Sequence, residues 1–251
     1  MRPDLKALGR DLDAASSRLF LLDYDGTLAP FDPDPVSVTM LPESERALRS
    51  LSGVPDTTVA VVSGRPLDDI ERRVPPGVLP VGSHGRESPV WDDAGAPFPA
   101  GDVRLWAESV LGHETGALQV KPHGLALNLR ALAPEDQAKA APLLAADCPV
   151  PGVKTLRGRR IVEWMAEDAF HKVDAALRLK EETMAPDEGI VVIGDDTTDE
   201  DMFRALPGAA TIHVGDGDSA AAYRLDDVQD VASLLAAVSE ALCAPPAGRR
   251  N

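Results

Sequence analysis

Residues 17–29 have the sequence Ser17-Arg-Leu-Phe-Leu-Leu-Asp-Tyr-Asp-Gly-Thr-Leu-Ala29. The run from Arg18 to Leu22 is apolar and does not alternate, which predicts a buried strand of a parallel sheet. It ends in two carboxylates, Asp23 and Asp25, and Gly26 then allows the backbone to turn back over the strand end. Because ligands bind at the carboxyl ends of strands in open α/β sheets, the stretch predicts an acidic site. The alternative is an ordinary turn, since Asp and Gly are common in turns.

Composition and charge exclude several classes of partner. The chain has 251 residues, of which 44% are hydrophobic and 26% charged, as expected for a soluble globular protein. Its net charge of −16 argues against nucleic acid and against an anionic membrane surface, because binding to either needs clustered Lys and Arg. No apolar run approaches the roughly 20 residues that span a bilayer. Without a signal peptide, and with two isolated cysteines, the sequence predicts a cytoplasmic protein.

Two further strands are predicted to end in polar turns. Thr57 to Val62 should form a buried strand that ends at Ser63, just before a helix. The hydroxyl of Ser63 and the backbone N–H groups of that helix start would suit an anion, although a simple N-cap serine is the alternative. Val78 to Val81 should form a third strand. It ends in Gly82-Ser-His-Gly-Arg-Glu87, whose glycines predict a tight turn around His84.

A second acidic strand end lies far along the chain. Gly189 to Ile193 predict another buried strand, which ends in Gly194-Asp-Asp-Thr-Thr-Asp-Glu-Asp201. Two acidic strand ends would repel each other unless a hard divalent cation lay between them, and oxygen ligands suit Mg²⁺. Bound Mg²⁺ keeps open positions for phosphate oxygens. Ser63 and Lys172 would then supply the donor and the cation that a phosphate needs.

The middle of the chain breaks the alternation of strands and helices. From about Asp102 the pattern becomes ββαββ, which predicts an inserted α+β domain at 102–167 and an α/β core formed by 1–101 and 168–251. The elements predicted for the insert are a helix at Val103–Leu111, strands at Leu118–Lys121 and Leu125–Arg130, a helix at Pro134–Ala145, and strands at Val153–Leu156 and Arg160–Trp164. The other predicted core features are helices at Leu5–Ala15, Pro42–Leu51, His171–Met184 and Val228–Leu242, a strand at Thr211–Val214, a rigid loop at Pro30–Pro35 and a disordered tail at Pro245–Asn251.

Four motifs of the core occur in a known order. Asp23-x-Asp25-Gly-Thr, Ser63, Lys172 and Gly194-Asp-Asp-x-x-Asp199 resemble the four motifs of the haloacid-dehalogenase-like (HAD) hydrolases. The resemblance extends over the whole chain and implies a Rossmannoid parallel sheet core. The insert resembles the C2-type cap of that superfamily.

Within this superfamily, the chain is similar to trehalose-6-phosphate phosphatases. The similar residues and stretches are Gly82-Ser-His-Gly-Arg-Glu87, Lys121, Arg130, Gly158-Arg-Arg-Ile-Val-Glu163 and Tyr223-Arg-Leu-Asp-Asp-Val228. The chain departs from that family at four places. Gln119 stands where an acidic residue is usual, and Asn128-Leu-Arg130 stands in place of His-Tyr-Arg. Trp164-Met-Ala166 replaces the usual Arg-Pro, and Val173 replaces a Gly. The catalytic motifs are thus intact, while the residues that bind the sugar are altered.

The resemblance implies a role for each motif residue. Asp23 would be the nucleophile and Asp25 the general acid and base, while Ser63 and Lys172 would hold phosphate oxygens. Mg²⁺ would bind the carboxylates of Asp23 and Asp195, the backbone carbonyl of Asp25, and Asp199 either directly or through water. The substrate-binding residues would be Arg65, His84, Glu87, Lys121, Arg130 and Glu163. Two alternatives remain: a structural role for His84, and a cross-strand ion pair between Arg130 and Glu163.

The sequence therefore predicts a Mg²⁺-dependent phosphatase of the trehalose-phosphatase type, a phosphoric monoester hydrolase of trehalose biosynthesis. It would act on trehalose 6-phosphate through an aspartyl-phosphate intermediate. Phosphatases for another sugar or cyclitol phosphate are the first alternative. A non-catalytic, sugar-phosphate-binding partner of a synthase is the second. We expect a small-molecule sugar-phosphate substrate, no nucleic acid, no membrane, and a monomer or weak dimer.

Overall fold

The computed structural model describes residues 1–31, 37–92, 98–113, 115–121, 123–158, 161–167 and 171–244. Most of the predicted loop at Pro30–Pro35, the pair Arg159 and Arg160, and the predicted tail at Pro245–Asn251 lie outside these ranges. The chain divides into two compact units. The core unit comprises Met1–Trp91, His171–Asp195 and Asp199–Asn251, and the cap unit comprises Asp92–Phe170 with Asp196–Thr198. The domain boundaries at 102 and 167 stay predictions.

A parallel sheet forms the centre of the core unit. Over the described residues it has the strand order β12-β11-β10-β1-β2-β3, with every neighbouring pair parallel. Its strands are β1 (Arg18–Leu22), β2 (Thr57–Val62), β3 (Leu79–Val81), β10 (Ile190–Gly194), β11 (Ala210–Val214) and β12 (Tyr223–Leu225). The helices of this unit are α1 (Leu5–Ala14), α2 (Pro42–Leu51), α3 (Leu67–Glu71), α7 (Lys172–Thr183), α8 (Thr197–Ala205) and α9 (Val228–Cys243). A two-stranded hairpin joins β4 (Glu87–Ser88) to β5 (Trp91–Asp92). These findings confirm the predicted α/β class.

Strand β1 lies in the middle of this sheet because both of its faces are apolar. Phe20 and Leu22 pack into one hydrophobic cluster, and Leu19 and Leu21 pack into the cluster on the opposite face. Burial on both faces is what a run without alternation predicts. On its two sides, Leu22 is in register with a residue of β10 and a residue of β2. The carboxyl ends of the three strands therefore lie at one edge of the sheet.

The cap unit contains an antiparallel sheet with helices on one face. In the described residues its strand order is β6-β7-β9-β8. The strands are β6 (Leu118–Lys121), β7 (Gly124–Asn128), β8 (Val153–Gly158) and β9 (Ile161–Ala166), and the helices are α4 (Ala100–Leu111), α5 (Pro134–Lys139) and α6 (Ala141–Ala145). Trp164 of β9 is fully buried and meets the ring of Trp106 edge-on, with 5.4 Å between centroids. The unit thus has its own hydrophobic core.

Two elements of the cap unit differ from the prediction. The helix predicted over 134–145 is broken at Ala140, because Pro142 has no N–H to donate to the preceding turn. The strand predicted to reach Arg130 ends at Asn128, since the side-chain oxygen of Asn128 accepts the backbone N–H of Arg130 at 3.0 Å. A 3₁₀ turn at Leu129–Ala131 follows. Placing Arg130 on a strand was therefore wrong.

Helix α8 and two short elements of the core unit were missed. Strand β12 has only three residues, with Arg224 in the middle, so it carries no apolar pattern that a sequence could show. Its pairing with β11 defines it. The strands of the β4–β5 hairpin have two residues each. Among the described residues, every helix is too short or too polar to cross a membrane.

The burial of β1 leads to a stability prediction. Leu21→Ala should lower the free energy of unfolding by about 2–5 kcal/mol, because the side chain is fully buried and leaves a cavity. The matched control is Leu177→Ala on α7, where the leucine is 44% exposed and the loss should be about 1 kcal/mol or less. Urea unfolding of both variants measures the difference. Equal losses would contradict the central position of β1.

Candidate active site

Three carboxylates converge at the edge of the core sheet. Asp23 follows β1, and its backbone N–H donates to the carbonyl of Ile193 on β10 at 2.9 Å. Asp195 follows β10, and Asp199 lies in the first turn of α8. Each of the three aspartates offers one carboxylate oxygen such that these oxygens lie within 4.8 Å of one another, and all three side chains are buried. The two acidic strand ends that the sequence predicted to meet do meet.

Two glycines allow the carboxylates to approach so closely. Gly26 has φ of +88°, and a Cβ at this position would lie 2.5 Å from Oδ2 of Asp195. A Cβ on Gly194 would collide with the carboxyl group of Asp199. Any larger residue at either position would push an aspartate away from the cluster. The glycines beside the acidic residues are therefore part of the site.

Lys172 neutralises part of the negative charge. It is the first residue of α7 and is buried. Its Nζ lies 2.6 Å from Oδ1 of Asp23 and 2.9 Å from Oδ1 of Asp199. The other oxygen of Asp199 accepts the backbone N–H of Asp195 at 3.0 Å. Lys172 is thus held between two of the three carboxylates, as expected for a functional lysine and not for a surface residue.

The charges of this cluster do not balance. Three carboxylates and one ammonium group give a formal charge of −2 when all are ionised. Burial raises the pKa of Asp23 to about 7; Lys172 opposes this rise, and the neighbouring carboxylate of Asp199 adds to it. For Lys172, burial alone would lower the pKa, but Asp199 and Asp23 outweigh burial and raise it. A buried set of oxygen donors with two excess negative charges fits a hard divalent cation.

Ser63 lies at the end of β2, the strand beside β1. Its side chain is buried, and its Oγ accepts the backbone N–H of Arg65 at 3.2 Å. Its backbone N–H donates to Val81 of β3. Ser63 is thus fixed at the edge of the sheet where the aspartates lie.

The side chain of Asp25 is paired with an arginine of the next strand end, Arg65. Nε and Nη2 of Arg65 donate to its two oxygens, each at 2.7 Å. Sequence reasoning assigned Arg65 to the substrate and missed this pair. Because Asp25 and Arg65 are forty residues apart, no local sequence pattern indicates that they form a bidentate ion pair. The substrate role of Arg65 stays a prediction, as does the role of the Asp25 carbonyl as a metal ligand.

The turn after β3 gives His84 and Glu87 defined places. His84 has a positive φ of 57°, and Gly64 makes room for its ring, since a Cβ there would lie 2.6 Å from the ring. Oε2 of Glu87 accepts the hydroxyl of Ser83 at 2.6 Å and the backbone N–H of Leu67 at 3.1 Å. Glu87 therefore binds the start of α3. Roles of both residues in substrate binding stay predictions.

The remaining predicted residues belong to the cap unit. Lys121 on β6 forms an ion pair with Glu163 on β9, across the intervening strand β7. Arg130 lies on the 3₁₀ turn after β7. An ion pair between Arg130 and Glu163 stays a prediction. The sugar-binding roles of these three residues stay predictions.

Comparison with known proteins places the chain among its relatives. A family model described as trehalose-phosphatase matches residues 21–93. The bifunctional trehalose-6-phosphate synthase/phosphatase of Thermoproteus tenax is 33% identical over 246 residues, which cover 91% of this chain and 33% of that protein. The trehalose-phosphate phosphatase of Mycobacterium ulcerans is 32% identical over 241 residues, covering 88% of this chain and 61% of the relative. The chain therefore spans only part of the length of these relatives.

Solved structures show the same fold. The C-terminal domain of C. albicans trehalose-6-phosphate phosphatase matches with a TM-score of 0.79 at 23% identity, covering 95% of this chain and 98% of that one. A trehalose-6-phosphate phosphatase related protein matches with a TM-score of 0.68 at 23% identity, covering 88% and 96% of the two chains. Together with the motifs, these matches confirm the predicted resemblance: the chain is related to the trehalose-phosphatases and has their HAD-like fold.

Proposed function

We propose that this protein is a Mg²⁺-dependent phosphatase that hydrolyses trehalose 6-phosphate to trehalose and phosphate. The observation that carries the proposal is the buried cluster of Asp23, Asp195 and Asp199 around Lys172. A non-catalytic binding protein would have no need for a buried carboxylate held against a buried lysine. The relatives named as trehalose-phosphate phosphatases support the choice of substrate.

The donor set indicates which residues would hold the metal. The carboxylates of Asp23 and Asp195 would bind Mg²⁺ together with the backbone carbonyl of Asp25. Asp199 would bind it directly or through water. When bound, Mg²⁺ supplies positive charge to the phosphate oxygens and orients them. Thr27 supports this arrangement, because its hydroxyl donates to Oδ1 of Asp195 at 3.4 Å.

Asp23 would act as the nucleophile. One of its oxygens forms a bond to phosphorus while the bond from phosphorus to the sugar oxygen breaks, and Asp25 in its protonated form gives its proton to that leaving oxygen. In the second step, Asp25 takes a proton from water, which attacks phosphorus and releases phosphate from Asp23. Lys172 favours the ionised form of Asp23 that the first step needs. Ser63 and Lys172 would hold the non-bridging phosphate oxygens.

The cap unit would bind the sugar. Lys121 and Glu163 place a donor beside an acceptor on neighbouring parts of one sheet, and such pairs suit sugar hydroxyls. Arg130, His84 and Glu87 would complete the recognition of the substrate, whereas Arg65, whose Nε and Nη2 donate to Asp25, would act on Asp25 and not on the sugar. A cytoplasmic location and a monomeric or weakly dimeric state, both expected from the sequence, stay predictions.

A phosphatase for another sugar or cyclitol phosphate is the second candidate. The observation that favours it lies in the cap unit. Asn128 stands where the similar family usually has His, and its side chain caps the turn that carries Arg130. A residue engaged with the backbone in this way has less capacity to contact a disaccharide.

Replacement of the nucleophile tests the reaction type. Asp23→Asn should lower metal-dependent phosphate release by at least about 1,000-fold, because the amide cannot form the phosphoenzyme. Phosphate release from trehalose 6-phosphate, with and without EDTA, measures this. Asp201→Asn is the control, since Asp201 is an exposed residue of α8 that pairs with Arg204 at the surface. An Asp23→Asn variant with full metal-dependent activity would show that the nucleophile is assigned wrongly.

A substrate panel separates the two candidate functions. Trehalose 6-phosphate should have a kcat/KM at least about 100-fold above that of glucose 6-phosphate, because a site built for both sugar rings rejects the smaller ligand. Equal kcat/KM values for the two sugar phosphates would favour the second candidate.

Glu163→Gln should lower kcat/KM for trehalose 6-phosphate about 10-fold to 100-fold through the loss of charged hydrogen bonds. The same variant should keep its rate with p-nitrophenyl phosphate, which has no sugar.

A further inference from the structure

Four charged side chains at helix α3 form a series of ion pairs, in the order Asp25, Arg65, Asp69 and Arg73. We name the last three residues, Arg65, Asp69 and Arg73, the Asp25 clamp. Asp69 lies four residues after Arg65 and four residues before Arg73. Side chains at this spacing are neighbours in a helical segment, so Asp69 can pair with both arginines. All of them belong to the core unit. The proposed mechanism uses Asp25 but does not use Asp69 or Arg73.

Arg65 joins the two carboxylates. It donates from Nε and Nη2 to Asp25, at 2.7 Å each, and from Nη1 to Oδ2 of Asp69 at 2.8 Å. Its side chain is only 11% exposed. Two parallel hydrogen bonds fix the plane of the Asp25 carboxylate as well as its distance from the guanidinium group. The third bond, to Asp69, fixes the guanidinium itself.

The other carboxylate oxygen of Asp69, Oδ1, is bound by Arg73. Nε and Nη2 of Arg73 both lie 3.0 Å from its Oδ1. Arg73 also donates to the backbone carbonyl of Val38, which anchors the far end of the clamp to another loop. The guanidinium carbons of both arginines lie near the ring of the buried Tyr24, at 5.4 Å for Arg65 and 6.0 Å for Arg73. The clamp is thus packed against the residue between Asp23 and Asp25.

The neighbouring acidic residue shows that this arrangement is specific to Asp69. Asp68 is 75% exposed and pairs at the surface with Arg72, which also comes within 3.7 Å of Oδ1 of Asp69, whereas the side chain of Asp69 is 24% exposed. Partial burial raises the pKa of Asp69, but Arg73 and Arg65 outweigh burial and lower it. Asp69 is therefore a carboxylate at neutral pH and keeps both arginines in place.

We propose that Asp69 is a positioning residue that orients Asp25 through Arg65. The proposal rests on the proposed role of Asp25 as general acid and base. A proton-transferring group must point at the oxygen that it serves, and a small misplacement of such a group costs much of the rate. Without the charge of Asp69, Arg65 can turn away from Asp25. The carboxylate of Asp25 then loses its fixed orientation while the three-carboxylate cluster stays intact.

The test compares two isosteric changes on adjacent residues. Asp69→Asn should lower kcat for trehalose 6-phosphate about 10-fold to 100-fold, with KM changed by less than about threefold. Asp68→Asn should keep the wild-type kcat, because it removes only a surface ion pair. Thermal unfolding of both variants shows whether each is folded at the assay temperature. A wild-type kcat in folded Asp69→Asn protein would overturn the proposal.

Two further measurements separate positioning from a purely structural role. In a double-mutant cycle, Arg65→Met/Asp69→Asn should have a kcat within about twofold of Arg65→Met alone, since Asp69 acts through Arg65. Losses that multiply would contradict the proposal. A crystal structure of Asp69→Asn should show that Arg65 no longer makes both hydrogen bonds to Asp25. If both bonds persist in that structure, the proposal is wrong, whether or not the protein proves to be a phosphatase.

Discussion

The burial of like charges at the tips of two parallel strands is the constraint on which the rest of the structure depends. Asp23, Asp195 and Asp199 offer carboxylate oxygens within 4.8 Å of one another, away from solvent. Isolated buried carboxylates are strongly destabilising, so their neighbours must compensate. Lys172 supplies one positive charge at the first turn of α7, where a lysine opposes the helix dipole. Glycines at 26 and 194 make the close approach sterically allowed.

The two proposed tasks, reaction with the phosphate and binding of the sugar, belong to different sets of residues. The residues that would react with phosphate come from strand ends of a sheet whose strands are buried on both faces, and such a scaffold holds its side chains rigidly. The residues expected from the sequence to bind the substrate come from both units: Lys121, Arg130 and Glu163 from the cap unit, and Arg65, His84 and Glu87 from the core unit. At Gln119 and Asn128 the cap departs from the pattern of similar phosphatases while the strand-end motifs do not. In the proposed function, reaction chemistry is assigned to the core unit, and the altered residues of the cap unit bear on the choice of substrate.

Much of the core could be predicted because its pattern is local. The apolar runs of β1 and β10 and the acidic residues after them identify both the strands and the edge where the site forms. Strand β12 could not be predicted, since pairing with β11 and not its own sequence makes it a strand. The break after Asn128 follows from one side-chain hydrogen bond, which competes with the strand ladder. The pair of Asp25 with Arg65 joins distant segments and needed coordinates. Asp69 is different, because its spacing of four residues from both Arg65 and Arg73 is visible in the sequence.

The central claim is that a divalent cation binds between the two acidic strand ends, and crystals soaked in Mn²⁺ test it most directly, since Mn²⁺ takes the same oxygen ligands as Mg²⁺. Anomalous diffraction at a wavelength that excites manganese would locate the ion. We expect one strong peak bridging the carboxylates of Asp23 and Asp195, lost in the Asp195→Asn variant. Absence of a peak there, with manganese bound elsewhere in the core unit, would contradict the claim.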